Sequence, residues 1–293
     1  MWSTRFSERA RAYWTAERTQ ALTGGKRLAI LPAEAPGLLR ALGLLDGDAA
    51  MAPDRARKFF QINHLVRLLE PQLAAMHAAH TVVRIVDAGC GRSYLTLLLA
   101  HCARMRGAGI EILGVDRDPD LIAECRRRTE IAELSDLVHF EVDNVGELEP
   151  AKLGEIHAVV ALHACDTATC DAIALGVALG AELIAVAPCC QAELARAWSS
   201  LEGTGGGFAP VWNAPHLRRE IAAHLTDAMR MTLLRGAGYE VTAAEFAGSE
   251  HTPKNTLLRA IRGTADADAA RAYAALVAAT GGCGLRLAER LPR

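Results

Sequence analysis

Two glycines and three acidic positions stand where they could hold a charged, nucleotide-like ligand. The run Val86-Asp87-Ala88-Gly89-Cys90-Gly91-Arg92-Ser93 follows an apolar segment. Its glycines let the backbone turn tightly and come close to a ligand. A dinucleotide loop would read Gly-x-Gly-x-x-Gly, to set a pyrophosphate on a helix N-terminus. Here the third glycine position is Tyr94. Asp87, two residues before the first glycine, suits a positively charged amino group instead. Asp116, 25 residues beyond Gly91, ends the next apolar segment, where a carboxylate can accept hydrogen bonds from both hydroxyls of a ribose. Asp143-Asn144 ends the third, a place for a side chain that reads an adenine amino group.

Each feature is weak alone, because an Asp at a strand end is often only a turn residue. Together and in this order they fit an adenosine bearing an ammonium and no pyrophosphate, and S-adenosylmethionine (SAM) is such a compound. The expected cofactor-binding residues are Asp87, Gly89, Cys90, Gly91, Asp116, Asp143, Asn144 and Leu162. A nicotinamide or flavin enzyme is the alternative, as is a degenerate copy that keeps the fold without catalysis.

A second group could act on a methyl acceptor. His163, Cys165 and Asp166 follow the fourth apolar segment, Cys189 and Cys190 the fifth, and Lys254 and Asn255 lie between the last two. Methyl transfer from a sulfonium asks a protein to align the nucleophile and remove or neutralise a proton. His163 is a candidate general base, Lys254 could lower a hydroxyl pKa or hold a phosphate, and Asn255 could orient the acceptor. The cysteines allow three readings: packed thiols, a nucleophilic or redox thiol, or a metal site. Adjacent Cys189 and Cys190 diverge and no Cys-x-x-Cys pair is present, so no metal is expected. His216, Arg218, Arg219, His224 and Arg230 could touch an acidic substrate or form a solvated helix face.

These residues need a scaffold that brings them together. From residue 81 the pattern alternates strand and helix. Strands are predicted over Val82–Asp87, Ile110–Asp116, Val138–Val142, Ile156–Leu162 and Leu183–Ala187. Helices are predicted over Tyr94–Met105, Asp118–Arg128, Thr167–Leu179, Gln191–Ser200 and Arg218–Gly236. Tyr239–Phe246 and Thr256–Ile261 close the series as consecutive strands, before a helix over Ala265–Ala279. Such units build a parallel sheet with right-handed crossovers, and the final hairpin adds one antiparallel strand. The expected fold is α/β, a Rossmann-like seven-stranded methyltransferase sheet, whose ligands sit beyond the C-terminal strand ends. Residues 1–80 read as a helical module, with helices over Ser7–Gln20 and Pro53–Met76, where Pro71 could kink or end the second. Residues 81–293 then form the methyltransferase domain with its C-terminal helix.

Residues 82–262 resemble class I SAM-dependent methyltransferases. Four segments carry the likeness: Val86–Thr96, Leu162–Thr169, Ala187-Pro188-Cys189-Cys190-Gln191, and Thr252-Pro253-Lys254-Asn255. They are similar to the methyltransferase domain of glutathione-S-transferase C-terminal-domain-containing proteins, and to related tRNA 2′-O-methyltransferase-like domains. Members often carry glycine where Ser93 and Asp166 stand. The Asn-Pro-Pro-aromatic signature of amino-methylating nucleic-acid enzymes is missing at Ala161–Cys165. An oxygen acceptor such as a ribose hydroxyl, or a protein side chain, is therefore easier to reconcile than a planar amine. RNA is the expected substrate class, with protein methylation or a non-catalytic SAM-binding scaffold as alternatives.

The chain's 293 residues are 51% hydrophobic and 23% charged, with a formal net charge of −2. That excludes the global basic field of many nucleic-acid binders. Residues 1–80 hold 11 Lys/Arg and 7 Asp/Glu, a local +4 that could help dock an anionic substrate. No apolar run reaches the roughly 18 residues of a membrane span, and the N-terminus lacks a signal-peptide pattern. A cytoplasmic location with reduced thiols is expected; the oligomeric state is left open.

Overall fold

A computed structural model describes residues 2–162, 164, 166–188, 191–245 and 256–291. They fall into two compact units, Met1–Val142 and Asp143–Arg293. The first contains α1 (Trp2–Tyr13), α2 (Ala16–Thr23), α3 (Pro36–Ala41), α4 (Pro53–Ala79), β1 (Val82–Ala88), α5 (Tyr94–Arg106), β2 (Gly109–Asp116), α6 (Pro119–Ile131) and β3 (Val138–Val142). The second contains α7 (Pro150–Leu153), β4 (Ala158–Ala161), α8 (Thr167–Ala178), β5 (Leu183–Val186), α9 (Glu193–Ser199), α10 (Ala209–Trp212), α11 (Pro215–Gly236), β6 (Tyr239–Glu245), β7 (Thr256–Arg262), α12 (Ala269–Ala279) and α13 (Leu287–Arg290).

The strands form a seven-stranded sheet of order β3-β2-β1-β4-β5-β7-β6. In the first unit β1 pairs with β2, and β2 with β3, in parallel. In the second β4 and β5 are parallel, while β7 runs antiparallel to both β5 and β6. This is the expected α/β, Rossmann-like layout with one antiparallel strand from the terminal hairpin. β4 and β5 are buried at every position, as apolar runs at the centre of a parallel sheet should be.

The N-terminal helices differ in detail from expectation. The single helix predicted over Ser7–Gln20 is broken at Thr15, whose extended backbone (ψ 166°) lets its side chain accept the Arg18 N–H at 3.3 Å and start α2. Pro71 does not end α4, which runs on to Ala79. Proline inside a helix loses a backbone hydrogen bond and costs about 3 kcal/mol. Phe59, Ile62, Leu65, Val66, Leu69, Leu73 and Met76 are buried along that helix and offset the loss at about 1.5–3 kcal/mol each. Asn63 is fully buried yet satisfied: its side-chain oxygen accepts the Ile30 N–H and its amide donates to the Phe59 carbonyl, both at 2.9 Å. The Trp14 indole donates to the Ala49 carbonyl at 2.9 Å. Among the described residues, no helix is long and apolar enough to cross a membrane.

Candidate active site

In the first unit the turn after β1 is built by three residues in the left-handed region. Gly89 (φ 75°), Gly91 (φ 53°) and Ser93 (φ 55°) reverse the chain into α5. The amides of Gly89 and Cys90 both donate to the Val115 carbonyl, at 2.8 and 3.0 Å, which anchors the turn to the end of β2. Gly91 then donates its N–H to Oδ2 of Asp116 at 2.9 Å, and Asp118 donates its own to Oδ1 at 3.1 Å. A carboxylate offers about four lone-pair positions. Two are therefore left on half-buried Asp116 among the described residues, one on each oxygen.

Asp87 lies behind the turn, only 3% exposed, and accepts the Thr96 hydroxyl. Burial pushes its carboxyl up to about 7, against the lowering effect of that hydroxyl and with a smaller push from the Asp116 charge. A cation nearby would draw it back to the ionised form. Cys90 is buried, and its thiol is raised by hydrogen bonding with Cys125 and by burial. The Cys125 thiol donates to the Gly91 carbonyl at 3.1 Å, so these sulfurs support the turn as packed thiols. Tyr94, at the position of the absent third glycine, has Lys58 and Arg128 over its ring at 5.0 and 5.7 Å. Arg128 also donates to the Arg92 carbonyl at 2.9 Å.

Asp87, Gly89, Cys90, Gly91 and Asp116 are thus brought together within the first unit. Asp143, Asn144 and Leu162 belong to the second. There Asn144 donates its N–H to Asp143 at 2.6 Å, and its side chain caps the short 3-10 turn Val145–Glu147 by accepting the Gly146 N–H at 3.1 Å. Leu162 is buried. His163, Cys165, Cys189, Cys190, Lys254 and Asn255 lie outside the described residues.

Sequence reasoning missed a network in the second unit. Arg230, grouped by sequence with residues that could face a substrate or solvent, is fully buried. Its guanidinium donates to Asp227 Oδ1 at 3.1 Å and to the Asp166 carbonyl at 2.9 Å. Asp227 in turn accepts the Gln191 side-chain amide at 2.8 Å. Arg218 is also engaged, with Glu202 at 3.0 Å and the Trp212 carbonyl at 2.7 Å. The signal lay in the i, i+3 pair Asp227/Arg230 on a helix whose Ala222, Ala223, Thr226 and Met229 are buried.

The family model described as a methyltransferase domain matches residues 57–197. No curated protein matches the chain. Among solved structures it is similar to the citrinin polyketide synthase CMeT domain, at 15% identity and a TM-score of 0.46, over 88% of this chain and 65% of that one. It is also similar to an SAH-bound methyltransferase from Podospora anserina, at 13% identity and 0.46, over 84% and 94%. A third is an rRNA methylase from Streptococcus thermophilus, at 11% and 0.43, over 71% and 97%. The chain spans just under two thirds of the citrinin synthase domain, and likenesses this distant carry no argument about function. None of the matches bears on the narrower likeness to glutathione-S-transferase C-terminal-domain-containing proteins. Residues 57–197, just under half of the chain, match the methyltransferase-domain model, and the strands take the order expected of a Rossmann-like methyltransferase sheet.

Proposed function

We propose that the chain is a SAM-dependent methyltransferase acting on an oxygen or nitrogen acceptor, with RNA as the substrate class. The observation that carries the cofactor is Asp116. Its carboxylate is fixed by the Gly91 and Asp118 amides, yet keeps a lone pair on each oxygen, which suits two neighbouring ribose hydroxyls. Asp87 suits the amino group of the methionine moiety: a buried carboxyl with a raised pKa gains most from an added positive charge. Asp143 and Asn144 are assigned to the adenine end. When bound, the sulfonium supplies an electrophilic methyl group; the chain's part is alignment and proton handling.

His163 is assigned as the base that takes the proton from the acceptor, with Lys254 and Asn255 orienting it. RNA is favoured over protein because the four segments resemble tRNA 2′-O-methyltransferase-like domains and residues 1–80 carry a local positive excess; the signature missing at Ala161–Cys165 disfavours only a planar amine as acceptor. Residues 1–80 are taken as the helical module and 81–293 as the catalytic domain. The family match begins at residue 57, near the start of α4, so it overlaps the end of that module.

A thermal-shift titration with SAM and S-adenosylhomocysteine tests the cofactor: stabilisation by both is expected, and none by either would sink the reading. Tritiated-SAM labelling of RNA and protein fractions then decides the acceptor. Label in protein alone would make the chain a protein methyltransferase, and stabilisation without label would make it a SAM-binding scaffold.

A further inference from the structure

Asp166 adopts a backbone conformation that only glycine enters freely, φ 53° and ψ −113°. The surrounding structure holds it there from three directions. Its carboxylate Oδ1 accepts the N–H groups of Ala192 and Glu193, at 2.8 and 3.0 Å, where the segment after β5 enters α9. Its Oδ2 pairs with Arg196 on α9. Its carbonyl accepts from Arg230, a fully buried guanidinium on α11. Arg230 reaches the β5 segment as well, through Asp227 and the buried side-chain amide of Gln191. The remaining turn before α8 is pinned by the buried Thr169 hydroxyl, which donates to the Ala164 carbonyl. One strained residue and one buried cation therefore bind the segments after β4 and β5 to each other and to α11.

We propose that Asp166 and Arg230 are positioning residues for methyl transfer: they fix the segments that leave the C-terminal ends of β4 and β5, the side of the sheet where ligands bind in such folds, to each other and to α11, without touching the cofactor. This rests on the methyltransferase reading above. Strain survives only where surrounding contacts over-determine it, and it concentrates at working sites. A carboxylate that only decorated the surface would have no cause to hold its own backbone in a glycine conformation.

Asp166→Gly separates the parts, since glycine accepts this backbone without strain and removes only the carboxylate tie. Three readouts apply: hydrogen exchange at the Ala192 and Glu193 amides, thermal shift with SAM, and methyl incorporation from tritiated SAM into the labelled fraction. Asp166→Gly is expected to fold and keep the SAM shift, while those amides exchange roughly tenfold faster or more. Methyl incorporation at saturating SAM should fall by a similar factor. Asp166→Asn keeps an oxygen acceptor and should restore amide protection and most of the incorporation. Wild-type exchange at 192–193 in Asp166→Gly overturns the tie. Faster exchange with undiminished methyl transfer overturns the positioning role. A wild-type protein that is neither stabilised by SAM nor labels any fraction overturns the methyltransferase reading, and the catalytic half of this inference with it. The exchange data still decide the tie.

Discussion

The turn after β1 and the turn after β4 solve one geometric problem with different residues. Both reverse the chain from a parallel strand into a helix, and both place residues at positive φ. Both also set a carboxylate on backbone amides of another segment, Asp116 on Gly91 and Asp166 on Ala192 and Glu193. In the first, two glycines take most of the unusual backbone and the carboxylate keeps lone pairs to spare. In the second, an aspartate takes it alone, and its oxygens are engaged by two amides and an arginine. The first turn leaves a carboxylate with bonding capacity unused, while the second engages its carboxylate wholly within the chain. A carboxylate's spare bonding capacity therefore says more about its role than its place at a strand end.

The comparison can be broken by substitution, most severely at Arg230. Arg230→Ala leaves Asp227 buried without its cation, and removing one partner of a buried ion pair costs about 3–5 kcal/mol. Urea denaturation should show that loss whether or not SAM is present, as befits a network that serves the chain. Asp87 gives the next largest effect, through pH. Its folded pKa of about 7 lies above the ordinary 3.8, so the folded state holds the proton longer. Stability from this group is full below about pH 4 and is lost as pH rises through 7, by about 4 kcal/mol. Asp87→Asn should flatten that slope in denaturation curves of ligand-free protein. SAM affinity should move the opposite way, rising with pH until Asp87 is ionised, and an affinity flat between pH 6 and 8 would remove Asp87 from the ammonium.

Asp116→Ala comes third. It removes two charge-assisted bonds to a ligand, at about 1.5–3 kcal/mol each, so calorimetry should show SAM affinity falling by a hundredfold or more, on the order of 3 kcal/mol. Unfolding of the ligand-free variant should shift as well, because the Gly91 and Asp118 amides lose their acceptor, but by less, about 1–2 kcal/mol. A variant that loses stability and keeps its affinity would reverse the contrast between the two turns. The smallest effect belongs to Thr96→Val, which strips the donor from Asp87. Its carboxyl should titrate higher still, at a cost near 1 kcal/mol above neutrality, visible as a displaced pH profile.

How much of this was legible in the sequence follows range. β1, β2 and β3 match within a residue at either end, because apolar residues recur along each at strand spacing, down to the alternating Val138 and Phe140 of β3. The geometry of the first turn was legible too, since Gly89 and Gly91 take the positive φ that glycine permits and Asp116 accepts the Gly91 amide. Short helices such as α3, α7, α10 and α13 were not anticipated, since four to six residues hold no periodic pattern and tertiary packing decides them. Thr15 was read as part of a helix because its capping bond depends on a local ψ that composition does not encode. Arg230 was misplaced for the opposite reason. A basic residue on an amphipathic helix defaults to solvent, and only contacts 64 residues away with Asp166 reveal a buried role. Members of the resembled family often carry glycine where Ser93 and Asp166 stand, and both residues have a positive φ here, a backbone that glycine enters most freely.

The Asp166 conformation also bears on how this turn can drift over evolutionary time. Glycine at 166 would relax the backbone and leave Arg196 without its partner, whereas aspartate there makes that arginine useful. Positions 166 and 196 should therefore change together among relatives, a glycine at the first releasing the second from any need for positive charge.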